Sequence, residues 1–456
     1  MRWTRTLTTL AVSAALAACA SSGQMASGDG IARLEKARTA RPNDASVHRA
    51  LGLAYYRANK LTEARASLEQ AAKLDPRDGT TALYLGLTAE KQNDVPGAKA
   101  AYQSYVRYGR TSKIRTQLEA RLAALTRQEL TLLAKSAVAR EQQVITQAGS
   151  PKTVAVMPLH FVGQDTTLQP LERGFAELMT TDLARSHELT VVERARLQAL
   201  LDEIKLQQSG STDAASNVRA GKIIQAGRIV NGQIAQNEQR LRVDAAIVNT
   251  TTSALAGGAA NENTLEELFA IEKAIVMQLF DSLGVTLTKD EKKALDITPT
   301  KSMPAFLAYS RGLMLEDQGK YDEASRSYRE AVRIDPGFSS AMAKSSQTSS
   351  IAMGAALTTA VVEANLQGTT EGNTADQAQN GQAPPPTTEN SPSNQADNIN
   401  PSQSSNATNS AGAGNTNTGT NTSSNQPNKD PLGSATGAET KTSNATIKVV
   451  VKIPHP

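Results

Sequence analysis

Small and apolar residues recur along the N-terminal third of the chain with a period of 34 residues. Apolar side chains between them follow the three- and four-residue spacing of amphipathic helices. The pattern therefore predicts pairs of antiparallel helices that bury their faces on one another, as in repeat proteins. The recurring positions are Gly52 and Gly86, Ala64 and Ala98, and Leu68 and Tyr102.

This spacing resembles the tetratricopeptide repeat (TPR), in which Gly and Ala allow two helices to approach and Pro ends the second. We place TPR-like repeats and a capping helix in residues 31–143, and one further repeat in residues 303–340. The C-terminal repeat either extends the N-terminal array or packs against the middle of the chain. The motif is matched first at Leu51, Gly52, Tyr55, Ala64, Leu68, Ala71 and Pro76, and later at Gly312, Ala324, Tyr328, Ala331 and Pro336.

In the TPR family the first helix of each repeat lines a concave groove that holds peptides. The resemblance therefore implies a protein-binding groove here. The alternative is that the residues on this face are only the solvent-exposed side of a structural scaffold. The implied groove residues are Arg49, Leu53, Tyr56 and Arg57 from the first repeat, and Leu83, Leu87, Glu90 and Lys91 from the second.

The pattern changes after residue 153, where short β-rich runs alternate with helical spacings. The predicted strands are "TVAVMPL", "ELTVVER", "RIVNGQI" and "RLRVDAAIVNT". Leu241, Val243 and Ala245 alternate with polar residues, which indicates one buried face. A helix is expected from Thr264, where Glu267 would complete a capping box. Strands that alternate with helices predict an α/β domain over residues 153–288.

The order "VAVMPL", "LTVVERARLQALLDEIKLQQSG", "AGKIIQAGRIVNGQI" and "IVNT" resembles the curli-secretion lipoprotein (CsgG-like) family. Members that form export channels insert long amphipathic hairpins between and after these strands, about 20 residues plus a turn for each. Here only residues 235–239 separate two strands, and residues 250–263 show no alternation. We therefore expect the soluble domain without the pore.

The C-terminal part is polar and of low complexity. Residues 367–443 consist mainly of Asn, Thr, Ser, Gly, Ala, Gln and Pro. Because such a segment cannot bury enough apolar surface to offset its ordering entropy, a disordered tail is predicted. The last apolar run, residues 445–453, alternates in β fashion and is either a strand that adds to an open sheet edge or an unpartnered strand.

The chain starts with Arg2 and Arg5, an apolar run and small residues, which is the layout of a secretory signal peptide over residues 1–18. Residues 16–19, Leu-Ala-Ala-Cys, resemble the bacterial lipobox, which implies cleavage before Cys19 and its acylation with palmitate-type chains. Ala20, in place of Asp, favours the outer membrane in that family's sorting rule. Two or three acyl chains would give lasting attachment on the periplasmic side.

The charge distribution and the search for catalytic or metal-binding motifs add no further function to this prediction. Residues 31–150 carry 20 Lys and Arg against 11 Asp and Glu, spread evenly as on a solvated helical surface. The four histidines lie in separate segments without ligand spacing, and no phosphate-binding loop or nucleophile elbow is present. We expect no metal, no cofactor and no enzyme activity, and no nucleic-acid partner because the chain is predicted to be exported.

The preferred hypothesis is an outer-membrane lipoprotein that binds envelope proteins and assists assembly or export of a cell-surface structure. One alternative is a lipoprotein that regulates peptidoglycan synthesis, since such activators also resemble lipidated tethers with small α/β domains. An oligomeric export channel is less favoured, and the sequence leaves self-association open.

Overall fold

The computed structural model describes residues 28–207, 214–238, 240–382 and 384. Within this part of the chain, helical repeats stand before and after an α/β domain, as predicted. The predicted signal peptide, Cys19, the terminal strand at 445–453 and the tail beyond residue 384 lie outside the described residues.

The N-terminal helices stack as pairs, with α2 on α3 and α4 on α5. Recurrent glycines make this possible, because a Cβ at Gly52 would lie 2.6 Å from the Leu68 side chain and one at Gly86 would lie 2.3 Å from Tyr102. The 34-residue period is therefore a period of close helix contacts. The bounds are α1 (Gly28–Ala40), α2 (Ala45–Arg57), α3 (Leu61–Leu74), α4 (Gly79–Lys91), α5 (Val95–Tyr108), α6 (Ser112–Ala139) and α7 (Glu141–Val144).

Aspartates fix where three of these helices begin. Asp44, Asp78 and Asp94 precede α2, α4 and α5, and each carboxylate accepts a hydrogen bond from a backbone N–H of the first turn. Such caps satisfy donors that have no partner within the helix and contribute about 1 kcal/mol each.

The middle domain contains one mixed sheet with strand order β3-β1-β4-β5-β6, and β2 pairs with β4. The pairs β1/β3, β1/β4 and β2/β4 are parallel, whereas β4, β5 and β6 form an antiparallel meander. The strands are β1 (Ser150–Val156), β2 (His160–Val162), β3 (Thr190–Val191), β4 (Ala226–Asn237), β5 (Arg240–Asn249) and β6 (Leu255–Thr264); the helices are α8 (Leu171–Leu183), α9 (Arg194–Gln207), α10 (Ala214–Ile223) and α11 (Leu268–Leu283).

Helices cover both faces of this sheet. On one face α8 and α11 pack against Val154, Val230 and Val243. On the other face α9 and α10 pack against Ala155 and Ile229, together with the last turns of α6. The predicted alternation of β5 is confirmed, since Leu241, Val243, Ala245 and Ile247 are buried while their neighbours are more exposed.

One strand of this domain was not predicted, and one predicted helix cap is wrong. Residues 255–264, which show no alternation, form the edge strand β6, because the backbone on both sides of a bulge pairs with β5 and Gly257 lets α11 approach closely. A Cβ at Gly257 would lie 2.7 Å from Ser282. Thr264 makes no side-chain cap, and a short 3-10 turn precedes α11. The capping box forms instead at Thr288 and Glu291.

The C-terminal repeat meets both alternatives left open above, because it packs against the middle domain and is also joined to the N-terminal array. Its first helix, α13, lies on α8, while α15 lies along α6 and thus joins this repeat to the N-terminal array. A Cβ at Gly354 would lie 1.9 Å from the carbonyl oxygen of Ala120, so α15 and α6 nearly touch there. The bounds are α12 (Lys289–Leu295), α13 (Met303–Asp317), α14 (Tyr321–Ile334), α15 (Ser339–Ala356), α16 (Thr359–Asn365) and α17 (Thr370–Gln379).

Helix α17 corrects the predicted start of the disordered tail. Residues 370–379 fall inside the segment 367–443 yet form a helix that packs on α2 and α1. Ala375 and Ala378 are buried there in the core of the N-terminal repeats. A polar sequence orders in this place because a preformed apolar surface supplies the contacts that it lacks by itself.

Candidate protein-binding groove

The eight predicted groove residues lie on α2 and α4, but they play three different parts. Leu53, Leu83 and Leu87 are fully buried, in the same core cluster as Val362 of α16 and Leu366, which follows that helix. The apolar floor of the groove is thus covered by the chain's own C-terminal helices.

Two of the predicted residues form ion pairs within the array. The Arg49 guanidinium lies 2.8 Å from the Asp78 carboxylate, the cap of the next repeat's first helix. Glu90 accepts three hydrogen bonds from Arg121 of α6, at 2.5 to 3.2 Å. These two pairs hold neighbouring repeats together and are not available to a ligand in this arrangement.

The remaining three residues contact the C-terminal helices directly. The Tyr56 hydroxyl donates to Glu363 at 2.5 Å, and Lys91 Nζ lies 3.1 Å from the same carboxylate and 4.2 Å from the centre of the Tyr56 ring. Arg57 pairs with Asp376 of α17 at 3.2 Å. Burial and the adjacent Glu363 carboxylate raise the pKa of Tyr56, so its hydroxyl remains a donor.

Glu371 is the most buried polar contact of the C-terminal helices, with 3% of the residue exposed. Its carboxylate accepts hydrogen bonds from the Tyr105 hydroxyl at 2.9 Å and from Thr111 Oγ1 at 2.8 Å. Neutral donors thus satisfy this carboxylate. Burial, with the Glu371 carboxylate next in effect, raises the pKa of Tyr105.

A cleft lies where α16 and α17 meet α2 and α4. Its volume is about 780 Å³, and most of its lining comes from residues 363–380, with Tyr56, Arg57 and Lys91 at one side. The cleft is polar, with fixed charges of both signs. It has the size of a binding cleft, within the few hundred to about 1,000 Å³ that ligand sites usually occupy.

A buried charge cluster, which the sequence did not reveal, joins the middle domain to the C-terminal repeat. Arg194, at the start of α9, has a side chain only 10% exposed and pairs with Asp317 of α13. It also lies 3.0 Å from Glu177 and 3.4 Å from Glu316. Glu316 in turn accepts from the Tyr328 hydroxyl at 2.8 Å and lies 3.3 Å from Lys344 Nζ.

The charges in this cluster stabilise one another. Burial acts to raise the pKa of Glu316, but Lys344 and Arg194 together hold it below its ordinary value. Burial likewise acts to lower the pKa of Arg194, yet Asp317, Glu177 and Glu316 raise it. The cluster is therefore charged in the folded state and ties α8, α9, α13 and α15 to one another.

A second buried carboxylate is poorly compensated. Glu272 of α11 is fully buried, and neither of its oxygens forms a hydrogen bond of good geometry in the described part of the chain. Burial, followed by the charge of Asp182, raises the pKa of Glu272 to about 8. Lys273 Nζ lies 3.3 Å from it but also pairs with Asp182.

Neither cluster is arranged as a metal centre. Over the described ranges, no group of three or more His, Cys, Asp or Glu side chains is placed to hold an ion. The helices of the same ranges also include none with the length and apolar character needed to cross a bilayer.

Comparison with known families agrees with this geometry. The model "Curli production assembly/transport component CsgG" matches residues 146–249. Tetratricopeptide-repeat models match residues 27–78, 49–112 and 305–338. The chain contains a CsgG-like domain between tetratricopeptide repeats. The match to the CsgG-like domain ends with β5, so β6 and α11 lie beyond it.

The chain is also similar to individual proteins, among them the following two. "Putative adenylate cyclase 3" of Rhizobium meliloti (strain 1021) is 23% identical over 200 residues, which are 43% of this chain and 32% of that protein. The chain thus spans about a third of that relative's length. The LpoB C-terminal domain from Salmonella enterica is 12% identical with a TM-score of 0.20, covering 28% of this chain and 93% of that domain.

Proposed function

We propose that this chain is a non-enzymatic lipoprotein, held by Cys19 at the periplasmic face of a bacterial outer membrane. It binds other envelope proteins through its repeats and its CsgG-like domain and assists assembly or export of a cell-surface structure. The match to a curli production assembly/transport component supports the export role. The repeats support protein binding.

The observation that carries this proposal is the helix seated on the first helices of the N-terminal repeats. Leu53, Leu83 and Leu87 share one buried core cluster with Val362 and Leu366, while Tyr56, Arg57 and Lys91 meet carboxylates. Grooves that bind amphipathic helices have an apolar floor and polar groups at the rim. This surface can thus hold a helical segment of protein.

The first test concerns the location of the protein at the membrane. We expect the chain to sediment with envelope membranes and Cys19→Ser to appear in the soluble periplasmic fraction, because the attachment depends on acyl chains. Ser22→Ala is the matched control and should remain with the membranes. Equal sedimentation of all three proteins would show that acylation does not set the location.

The role is tested in cells of the source organism. A photo-crosslinking residue at Lys91 should yield a discrete adduct with an envelope protein, and deletion of the chain should lower the amount of protein sheared from the cell surface. Adducts with peptidoglycan synthases, together with altered glycan incorporation and unchanged surface protein, would favour the regulator of wall synthesis instead.

A further inference from the structure

Residues 358–382, here called the groove-filling segment, contain α16 and α17. We propose that this segment is an intramolecular ligand that closes the tetratricopeptide groove, and that a partner protein opens it by presenting an acidic amphipathic helix in its place. The inference rests on the proposed function only in treating the groove as a protein-binding site.

The segment runs across the first helices of successive repeats. Helix α16 contacts α4 and α6, and α17 contacts α2 and α1. Its apolar side chains, Val362, Leu366, Ala375 and Ala378, are all buried in the core cluster of the repeats. Two backbone carbonyls complete the path, since Arg33 donates to the oxygen of Asn380 at 2.9 Å and Arg41 to that of Pro384 at 2.9 Å.

The charges of segment and groove are complementary. Residues 358–382 contain three acidic residues, Glu363, Glu371 and Asp376, and no Lys or Arg. Each carboxylate has its own partner on the repeats: Lys91 and Tyr56, then Tyr105 and Thr111, then Arg57. The groove therefore recognises carboxylates at three positions along a helical segment, one on α16 and two on α17, which defines the chemistry of a partner.

The segment is a weak helix by itself. Helix α17 contains Gly372, Asn373 and Thr374 in succession, all of them poor helix formers, and isolated helices this short are marginal in water. The buried apolar anchors of α17 are two alanines, Ala375 and Ala378, and the side chain of Asp376 is 67% exposed. Most of its stability must come from the groove, so a helix with larger apolar anchors can replace it.

Tethering sets the affinity that a partner needs in order to compete with the segment. A tethered ligand is present at an effective concentration on the order of 1 mM, so one with an intrinsic Kd of about 0.1 mM occupies the groove roughly nine-tenths of the time. Release of the segment should then strengthen binding of a competing helix about tenfold.

The test uses the full chain and a fluorescein-labelled peptide of residues 358–382, followed by fluorescence anisotropy. The release variant is E363K/D376K, which faces Lys91 and Arg57 with like charges. The control is D322K/E323K, the same charge change on the exposed start of α14. We expect the release variant to bind the peptide about tenfold more tightly than wild type, and the control to match wild type.

A charge swap tests the geometry. Adding R57E and K91E to the release variant restores both ion pairs with reversed sign, so amide hydrogen exchange of residues 370–379 should slow again and the acidic peptide should no longer bind. A second release variant, V362D/L366D, opens the groove by apolar disruption and should also bind the peptide.

Three results would each overturn the proposal: protection of residues 370–379 that persists in both release variants, a released chain that does not bind the peptide, or equal binding to wild type and release variants. These results do not depend on any partner in the cell. A failed envelope crosslink therefore counts against the proposed function, and a failed peptide assay counts against the groove-filling segment.

Discussion

Arg194→Met should detach the C-terminal repeat from the CsgG-like domain. Arg194 is nearly buried and is the cation that Glu177, Glu316 and Asp317 share. Met keeps much of the length and apolar volume of the side chain while removing the charge. Three carboxylates then remain in a desolvated position with Lys344 and the nearby Arg173 as the remaining cations.

The expected loss of stability follows from the burial of Arg194 and its carboxylate partners. Removal of one partner from a buried ion pair costs about 3 to 5 kcal/mol, because the other charge remains without compensation. Exposed pairs contribute only about 0 to 1 kcal/mol. Arg240 pairs with Glu262 at 2.7 Å, but the Arg240 side chain is 54% exposed, so Arg240→Met is a matched control that should change stability little.

Urea unfolding followed by circular dichroism measures the free energy of unfolding of both variants. Amide hydrogen exchange then locates the loss of stability, which should be concentrated in α13 and α15, since the cluster ties these two helices to α8 and α9. A loss below about 1 kcal/mol for Arg194→Met, or an equal loss for Arg240→Met, would refute the reasoning. Arg194→Lys should recover only part of the stability, because a single ammonium cannot reach all three carboxylates.

Three further predictions concern buried positions. Because the pKa of Glu272 is raised to about 8 in the folded state, its ionisation lowers the free energy of unfolding as pH rises from about 4.5 to about 8. Glu272→Gln should therefore be about 2 to 4 kcal/mol more stable than wild type at pH 8, and little more stable at pH 5, as measured by urea unfolding. An equal effect at both pH values would contradict the assignment. Gly354→Ala should destabilise the chain by about 2 kcal/mol or more in the same assay, since the new Cβ meets a backbone oxygen at 1.9 Å, whereas Gly28→Ala, with nothing within 4 Å, should be neutral. Tyr105→Phe removes one of the two hydrogen bonds to buried Glu371 and should speed amide exchange in residues 370–379 by about tenfold, equivalent to about 1 to 2 kcal/mol, while Tyr108→Phe on the exposed side should not.

The repeats and the alternating strands were predictable because their signals are local. Gly52 and Leu68 occur at a spacing that one helical hairpin imposes, and the same contact recurs between Gly312 and Tyr328, where a Cβ would lie 2.5 Å from the ring. The alternation along β5 similarly reports a single buried face. Edge strand β6 was not predicted, because its Ala and Gly residues show no alternation and its conformation depends on backbone pairing with β5.

The groove was predicted only in part. Family spacing placed Tyr56, Arg57 and Lys91 on one surface, but it did not show that Glu363 and Asp376 would lie opposite them, about 300 residues later in the chain. Composition alone indicated disorder for residues 367–379, because polar segments do not bury enough surface by themselves.

Short-range periodicity thus specifies the helical pairs, the strands and the order of the domains, since each depends on side chains a few residues apart. The docking of the last repeat, the cluster around Arg194 and the helix in the groove depend instead on contacts between distant segments. Such contacts leave no period in the chain, because the charge or apolar surface that makes each segment stable belongs to another segment, brought near only when the whole molecule folds.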